Sequence, residues 1–591
     1  MRISRVRIEN FRNFSKLDVK LGEHAVIVGE NKVGKSNFLR ALRIVLDPSL
    51  PDSARMLRPE DFWDGLTKPL AAGTKILIAI DLEGFDSNCE QLASLADFLV
   101  DADPMVARLT YAFRRSSGGT DFEFVVYGGD REEARVTWEV RRRLALELIP
   151  ALRDAENDLA SWQRSPLRPL LTKMADAIAQ EEKDAIAAGV ATATQSILER
   201  GEVKALGELV SKALKAVVGG AQAVDVELGL APTNADRLLR SLRLLIDGGL
   251  RGIGEASLGV ANTLYLTLKL LEARQLVQDG ARDHTFLAIE EPEAHLHPHV
   301  QRRVFSSILA KRAHFPRRVA EPAVSQTVIL TTHSPYIASV APLRALVLLR
   351  STANGTVAVS SADIDLDTSD EEDLERYLDV TRAEILFARA VLLVEGDAEL
   401  FVIPKLAEFA GIDLDGLGIT ICSVGGTHFT PHVKLLRALE IPFAVVTDKD
   451  PTGEGENLGE NRVVELLSHI MAHEDYKKVD RKGMLVAAAA NGVFLGEATF
   501  ELDLLRSGRA KSMSTALVQL APGKTARTRA AAWATAKAVS DELRFLKDIE
   551  AIGKGRYAQR LAATMKKKGG GAQGPEYIMT ALTFLKDRVP S

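Results

Sequence analysis

The stretch Ala-Val-Ile-Val-Gly-Glu-Asn-Lys-Val-Gly-Lys-Ser at residues 25–36 decides the fold of this chain. It opens with a continuous apolar run, which is typical of a buried central strand. A loop bounded by glycines follows, and the apolar spacing of residues 36–46 predicts a helix that stops before Pro48. A strand, a glycine loop and a helix in this order predict one corner of an α/β fold.

The glycine loop fits G-x-x-x-x-G-K-S, whose residue types suit the binding of phosphates. Glycines let the backbone N–H groups of the loop, from Asn31 to Gly34, turn inward around phosphates, and the helix dipole adds to their effect. Lys35 would place its charge on the β- and γ-phosphates, and the Ser36 hydroxyl would coordinate Mg²⁺. The alternative is an ordinary glycine turn, which the strand before the loop and the helix after it disfavour.

Two later strand ends carry residues that suit nucleotide hydrolysis. Residues 286–289 form an apolar strand that ends in an acid pair. We expect Glu290 to hold Mg²⁺, directly or through water, and Glu291 to polarise the attacking water. Residues 331–335, Thr-Thr-His-Ser-Pro, end another apolar strand, so His333 would lie at the edge of a parallel sheet where ligands bind. The alternatives are acids that open a helix and a structural histidine.

The middle of the chain, from about residue 140 to 218, is rich in alanine, leucine, glutamate and lysine and lacks strand signals. Four of its leucines have the spacing of one helix face: Leu144, Leu148, Leu152 and Leu159. We therefore expect a helical insertion in the first α/β domain. An acidic stretch at residues 363–373 lies beyond the later strands and is interpreted as a linker.

A second series of strands begins at residue 390. Strands are expected at 390–394, 419–422 and 443–447, with helical patterns between them. This alternation predicts a small α/β domain that is built on a parallel sheet.

Acids follow two of these strands. Glu395 ends the first strand, Glu399 comes one helical turn later, and Asp448 and Asp450 end the third. Strand ends in one parallel sheet can bring four carboxylates to one point, and divalent cations relieve the resulting repulsion. Hard oxygen ligands suit Mg²⁺ or Mn²⁺ rather than zinc. The alternative is that each acid belongs to an ordinary loop.

The first group of motifs resembles the ABC-type ATPases of the SMC/RecF group. In that group ATP lies between two heads, and a signature segment of the partner head completes the site. Residues 256–262 lie where that segment belongs. The resemblance implies that Ser257 and Gly259 contact the nucleotide of a partner, and that the chain forms a homodimer or a higher homo-oligomer.

The second group of motifs, with Ser-Val-Gly-Gly-Thr at 423–427 between its two halves, resembles the Toprim domain. An ABC-type head followed by a Toprim domain is the layout of the overcoming-lysogenization-defect (OLD) family of nucleases, whose class 2 includes the nuclease of the Gabija anti-phage system. The resemblance implies a two-metal nuclease site with a late lysine. It assigns the following residues: metal ligands Glu395, Glu399, Asp448, Asp450 and Glu501, with Asp503 as the second choice for the last, and Lys554 as the catalytic lysine.

The predicted fold class is therefore α/β. The predicted domains are an ATPase head in two parts (1–149 and 223–360), a helical insertion at 150–222 that serves dimerisation, a linker at 361–385 and a Toprim nuclease domain at 386–591.

Composition sets further limits on the function. The chain has 591 residues, 46% hydrophobic and 26% charged, which suits several globular domains and excludes wholesale disorder. Two cysteines, Cys89 and Cys422, cannot form a disulfide scaffold or a cysteine-rich zinc site. With no leader-like or membrane-spanning apolar run, we expect a cytoplasmic protein without membrane contact. Residues 501–591 hold 17 Lys and Arg against 8 Asp and Glu, a surplus of +9 that suits either a nucleic-acid contact or a solvated surface.

From these features we expect an ATP-regulated, metal-dependent endonuclease of double-stranded DNA that serves anti-phage defence. It would use two Mg²⁺ or Mn²⁺ ions at the Toprim site and one with the nucleotide, and a helicase encoded nearby is an expected partner. The alternatives are a RecF/SMC-like DNA repair ATPase and a DNA-binding clamp with a Toprim scaffold. A topoisomerase would need a strand-cleaving tyrosine, for which Tyr557 is a weak candidate.

Overall fold

The structure of the chain is a computed structural model. It describes the following residues: 1–67, 70–71, 73–116, 121–151, 153–161, 163–218, 242–309, 326–450, 457–536 and 539–589.

An antiparallel sheet opens the N-terminal head. Its strands are β1 (Arg2–Phe11), β2 (Phe14–Lys20), β4 (Lys75–Glu83), β5 (Leu99–Ala102), β6 (Met105–Arg115) and β7 (Phe122–Gly128). Their order is β2-β1-β4-β6-β5, and β7 pairs with β6. Residues 3–8 alternate apolar and polar side chains, a pattern that predicts the strand β1 from the sequence.

A second sheet of the head positions the nucleotide motifs. Its strands are β3 (Ala25–Gly29), β8 (Leu144–Ile149), β11 (His284–Glu290), β12 (Gln326–Thr331), β13 (Leu346–Thr352) and β14 (Gly355–Ser360). Their order is β14-β13-β3-β12-β11-β8, and all neighbours are parallel except β13 and β14. The carboxyl ends of β3, β11 and β12 therefore lie side by side.

The prediction that Leu144 and Leu148 lie on a helix is wrong, because these residues belong to β8. Leu144, Ala145 and Leu146 are all fully buried, so the strand is apolar on consecutive positions. Two leucines four residues apart fit the same face of a strand as well as that of a helix, and the spacing alone does not separate the two.

The rest of the middle segment is helical, as the sequence predicts. The structure gives the helices Ala155–Ala160, Leu167–Asp176, Gln180–Leu198 and Gly201–Val218. Leu152 and the predicted boundary between residues 222 and 223 lie outside the described residues. The predicted domain bounds and the dimerisation role stay predictions.

The C-terminal part is a parallel sheet covered by helices. Strands β15 (Ala390–Val394), β16 (Ile419–Ser423), β17 (Phe443–Thr447) and β18 (Val493–Leu495) pair in the order β16-β15-β17-β18. Earlier in the chain, before β11 of the head, β9 (Leu245–Ile246) and β10 (Arg251–Gly252) form a separate two-stranded antiparallel sheet. Two of the three predicted C-terminal strands, β15 and β17, match the observed bounds, because each is a short apolar run that ends at an acid or a threonine.

Helices complete both parts. In the head they are Lys35–Leu46, Asp52–Arg55, Cys89–Leu95, Trp138–Arg143, Leu258–Gln278, Pro298–Ile308 and Pro335–Ala338. From the linker onward they are Thr368–Tyr377, Asp397–Ala410, Leu414–Leu417, Thr430–Ala438, Leu458–Ile470, His473–Lys478, Arg481–Ala487, Phe500–Leu504, Ala510–Leu520, Lys524–Ala536, Glu542–Glu550, Lys554–Thr564 and Glu576–Lys586. Within the described ranges, none of these helices has the length and apolarity that crossing a membrane requires.

One apolar cluster joins the head to the C-terminal domain. It includes Val26 of β3 and Leu330 of β12 in the head, Leu386 of the short 3-10 helix Arg382–Phe387, and Leu393 of β15. All are buried. The sheet that carries the glycine loop and the C-terminal sheet therefore pack against one shared core.

His284 at the start of β11 predicts a pH dependence of stability. Its ring is 1% exposed, and burial lowers its pKa to about 3, helped by the N-terminal ammonium and by His24. Nε2 lies 2.9 Å from the Thr327 hydroxyl, and Nδ1 has no hydrogen-bond partner among the described residues. The folded chain therefore keeps His284 neutral, whereas the unfolded chain takes up a proton below a pH of about 6.5.

The contribution of neutral His284 to the stability of the fold is therefore fully present above pH 6.5 and is lost progressively as the pH falls below that value. At pH 5 the loss is about 2 kcal/mol. Chemical denaturation at pH 7.5 and pH 5 measures how much the free energy of unfolding falls between the two. This fall should be about 2 kcal/mol smaller for His284→Gln than for the unmodified chain. The exposed His299→Gln is the control. Equal pH dependence in all three proteins would contradict the assignment.

Candidate functional site

The glycine loop of the head has the backbone that its motif predicts. Gly34 has a φ of 95° and directly precedes the helix Lys35–Leu46. A Cβ on Gly34 would lie 2.1 Å from the amide nitrogen of Asn13. The loop therefore needs glycine here for two reasons, a left-handed backbone and the close approach of a neighbouring side chain.

Asn13 supports this loop and was not predicted. Its Nδ2 donates to the carbonyl of Val33 and to the hydroxyl of Thr356, both at 2.8 Å, and its Oδ1 accepts from Asn37 Nδ2 at 2.6 Å. The asparagine thus fastens the loop to the first strand pair and to β14. The sequence Arg-Asn-Phe at 12–14 carried no signal for this role beyond its place in a turn.

Lys35 is folded back on the loop. Its Nζ donates to the carbonyls of Gly29 and Glu30 at 3.0 and 2.9 Å. Burial lowers the pKa of Lys35 to about 8, while the acids Glu291 and Glu293 oppose this shift. A lysine that donates to backbone carbonyls rather than to a carboxylate is suited to a phosphate ligand. Asn31 and Ser36 are exposed on the same loop.

The predicted acid pair and the histidine meet at the ends of β11 and β12. Glu290 is in register with Thr331, and His333 Nε2 lies 3.5 Å from Glu291 Oε1. Glu291 has a φ of 41°, in the left-handed region. Burial lowers the pKa of His333, and the positive charge of Lys35 lowers it further.

Glu293 positions the loop that follows β12, and the sequence analysis did not predict this role. It accepts hydrogen bonds from the Thr332 hydroxyl at 2.9 Å and from the backbone N–H of His333 at 2.7 Å. The carboxylate thereby fixes the loop that carries the histidine. Its place three residues after Glu290 in Glu-Glu-Pro-Glu was the available signal.

The segment expected to act on a partner head begins a long helix. Ser257 caps the helix Leu258–Gln278, its Oγ accepting from the N–H of Val260 at 3.4 Å. Gly259 packs so closely on the carbonyl of His295 that a Cβ would lie 2.8 Å from it. Leu258 and Val260 beside them are about half exposed. Contact of this face with a nucleotide stays a prediction.

In the C-terminal domain, Glu395 ends β15 and reaches across to β17. Its Oε1 accepts from the Thr447 hydroxyl at 2.6 Å, from the backbone N–H of Asp448 at 2.8 Å and from Arg462 Nη1 at 2.7 Å. Arg462 Nη2 also donates to Asp450 Oδ2 at 3.1 Å. The two strand ends are thus joined as the sequence predicts, with an arginine between their acids that it did not predict.

Three further predicted acids are buried beside this pair. Glu399, Asp448 and Glu501 are 6%, 8% and 4% exposed. Burial raises the pKa of Asp448 to about 9, and the charges of Glu395 and Glu399 raise it further. Burial likewise raises the pKa of Glu399 to about 7, with Glu501 and Glu395 adding to it. The acids from three separate segments therefore share one low-dielectric region.

Lys554 lies next to this group, as predicted. Its Nζ is 3.1 Å from Glu501 Oε2, and the acids Glu501, Asp448 and Glu399 raise its pKa against the effect of burial. The backbone N–H of Phe500 donates to Asp448 Oδ2 at 3.1 Å and ties this acid to the helix that carries Glu501.

Asp503 and Tyr557 have other partners. Asp503 Oδ2 accepts from the backbone N–H groups of Glu497 and Ala498 at 2.9 and 3.1 Å, so it shapes the loop before Glu501. Tyr557 is 1% exposed and donates its hydroxyl to the carbonyl of Met513 at 2.9 Å. A buried and bonded hydroxyl does not suit attack on DNA, which speaks against the topoisomerase alternative.

The donor set fits hard divalent cations. In the described parts of the chain, no three carboxylate, imidazole or thiol side chains converge on a single ion position as they stand. Yet Glu399, Asp448 and Glu501 are buried, the charge of Glu501 raises the pKa of the other two, and Lys554 is the one cation paired with any of the three among the described ion pairs. Buried carboxylates with too few cations are stabilised by Mg²⁺ or Mn²⁺.

Gly34→Ala tests the nucleotide site. The substitution forces a non-glycine residue to a φ of 95° and against Asn13, at a cost of about 1–3 kcal/mol. ATP affinity measured by titration calorimetry should fall by about tenfold or more. The control is Gly280→Ala, which has a similar φ of 68° and no atom near its Cβ. Unchanged ATP binding by Gly34→Ala would show that the loop does not hold phosphates.

Comparisons with known proteins agree with this layout. Residues 25–339, more than half of the chain, match the family "AAA domain, putative AbiEii toxin, Type IV TA system", and residues 386–450 match "Overcoming lysogenization defect protein-like, TOPRIM domain".

Three relatives extend the match. The OLD nuclease of Thermus scotoductus is 28% identical, over 76% of this chain and 82% of its own, and endonuclease GajA of Bacillus cereus is 23% identical, over 85% and 89%. A solved C-terminal region of the Burkholderia pseudomallei OLD protein is 35% identical, covers 34% of this chain and 99% of that one, and has a TM-score of 0.32. The chain therefore belongs to the OLD family and combines an ATPase head with a Toprim domain.

Proposed function

We propose that the chain is a metal-dependent DNA endonuclease whose activity is regulated by ATP. The observation that carries this proposal is the group of buried carboxylates Glu399, Asp448 and Glu501 beside Lys554 at the carboxyl edge of β15 and β17. Relatives named OLD nuclease and endonuclease GajA support the same activity.

The acids would divide the metal ions between them. Glu399, Asp448 and Glu501 would hold one Mg²⁺ or Mn²⁺ ion, and Glu395 and Asp450 would contribute to a second. When bound, the ions would activate a water and stabilise the leaving oxygen of a phosphodiester. Lys554 would place its positive charge beside the scissile phosphate and neutralise it as the bond breaks.

In the head, Gly34 and Lys35 would bind the phosphates of ATP, and Ser36 and Glu290 would hold its Mg²⁺. Glu291 would orient the attacking water, with His333 3.5 Å away to receive or return its proton. Ser257 and Gly259 of a second copy would complete the nucleotide site of each head. The working form would therefore be a homodimer or a higher homo-oligomer. The helices at 155–218 would form the dimer contact.

A direct contact links the nucleotide loop to the nuclease sheet. Glu30, in the glycine loop, accepts from Arg389 Nε at 2.6 Å, and Arg389 immediately precedes β15, whose other end carries Glu395. Arg350 of β13 also donates to the carbonyl of Glu440, just before β17. A change in the loop on nucleotide binding would therefore reach the two strands that carry the acids, and these contacts support regulation by ATP.

The surplus of basic residues in 501–591 supports a DNA contact near the nuclease site. We propose double-stranded DNA as the substrate and anti-phage defence as the role, as the resemblance to the nuclease of the Gabija system implies. A helicase encoded nearby would be the matching partner.

Asp448→Asn tests the nuclease site. The variant removes one buried negative charge and a hard ligand, so cleavage should fall on the order of 100-fold or more while thermal stability stays equal or rises. Nicking of supercoiled plasmid with Mn²⁺ or Mg²⁺ measures the loss. Asp415→Asn is the control, because Asp415 is an exposed acid of the same domain. Normal cleavage by Asp448→Asn would refute the proposal.

Arg389→Gln tests the link between the two sites. The Glu30–Arg389 pair is 48% and 39% exposed, so it contributes at most about 1 kcal/mol. The ratio of cleavage rates with and without ATP should move toward one by up to roughly fivefold, with ATP affinity maintained. Arg376→Gln, in an exposed pair with Asp373, is the control. An unchanged ratio in Arg389→Gln would show that this contact does not transmit the nucleotide state.

A further inference from the structure

Arg462 lies in the middle of the proposed nuclease site. It belongs to the helix Leu458–Ile470, and its side chain is 12% exposed. Its guanidinium bridges Glu395, at 2.7 Å, and Asp450, at 3.1 Å. The same group donates to the Thr447 hydroxyl, and it contacts the carbonyl of Asp448 at 3.4 Å. Four groups at the two strand ends are thus held by one side chain.

We propose that Arg462 is a built-in cation that competes with a divalent metal ion for Glu395 and Asp450. This inference rests on the proposed nuclease function and adds an unequal pair of metal positions to it. Arg462 acts through the two acids and is therefore a positioning residue rather than a catalytic one.

The charges of the site divide it into two halves. Lys554 pairs with Glu501 on one side, and Arg462 pairs with Glu395 and Asp450 on the other. Among the ion pairs of the described residues, none involves Glu399 or Asp448. A metal ion that joins Glu399 and Asp448 displaces no side-chain cation. A metal ion that joins Glu395 and Asp450 must first displace a guanidinium.

Arginine makes this competition persistent. Its planar guanidinium makes charge-assisted hydrogen bonds to both acids, and such a pair of bonds is stronger than a lysine contact. The second metal position is therefore weaker than the first, and it fills only when the metal concentration outcompetes Arg462.

The test measures Mn²⁺ binding to the full chain by titration calorimetry, in the absence of nucleotide and DNA. The unmodified chain should bind one ion tightly and one weakly. Arg462→Gln should tighten the weak position by about tenfold and change the tight position far less. Arg462→Lys, which keeps a charge, should leave the weak position close to that of the unmodified chain.

Thermal unfolding gives a second readout that does not depend on activity. In EDTA, Arg462→Gln should unfold at a lower temperature than the unmodified chain, because Glu395 and Asp450 lose their cation. Saturating Mn²⁺ should raise its unfolding temperature more than it does for the unmodified chain. Arg481→Gln is the matched control, since Arg481 of the helix Arg481–Ala487 contacts Asn461 and Glu460 and is 56% exposed. If Arg462→Gln does not fold, Arg462→Met keeps the apolar stem and carries the same expectation.

Failure of this inference can be told apart from failure of the proposed function. If the unmodified chain binds two ions that Asp448→Asn loses, but Arg462→Gln leaves the weak position unchanged or weakens it, then Arg462 is not a competitor. If Mn²⁺ does not bind to this domain, or if Asp448→Asn binds it as before, both the competition and the metal-dependent nuclease are overturned.

Discussion

Repulsion between buried carboxylates is the interaction on which the C-terminal domain depends. Glu399, Asp448 and Glu501 are each more than nine-tenths buried, and the parallel sheet brings their segments to one edge. Three buried like charges would destabilise the fold strongly unless cations or protons neutralise them. Lys554 pairs with Glu501, and Arg462 pairs with the neighbouring acids Glu395 and Asp450. Glu399 and Asp448 have no cation partner among the described ion pairs, and this is the basis of the proposed binding of hard cations.

The head uses the same geometry for a different ligand. The ends of β3, β11 and β12 place a glycine loop, an acid pair and a histidine at one sheet edge. Here the buried charge is positive, on Lys35, and it suits phosphate. The two edges are joined by the apolar cluster around Leu386 and by the pair between Glu30 and Arg389. Because both sites lie on strand ends within one packed core, the proposed regulation by ATP requires no large movement.

Much of this layout was visible in the sequence, because short apolar runs that end in acids mark buried parallel strands. The strands that carry Glu290, Glu395 and Asp448 lie where these runs are. The run at Leu144 was assigned to a helix, since spacing by four residues fits both structures. Asn13, Glu293 and Arg462 were not predicted. Each contacts residues that are brought close only by the fold. Arg462, for example, contacts Glu395, which lies sixty-seven positions earlier in the chain. No local sequence pattern predicts the direction in which a helix presents such a side chain.

Anomalous X-ray diffraction from crystals of the chain soaked in Mn²⁺ tests the central claim most directly. The account predicts a strong manganese peak between the carboxylates of Glu399, Asp448 and Glu501. A weaker peak should lie near Glu395 and Asp450, and should grow with the metal concentration as the side chain of Arg462 turns away. Crystals in which these acids bind no manganese, and in which Asp448 remains buried without a cation partner, would contradict the account.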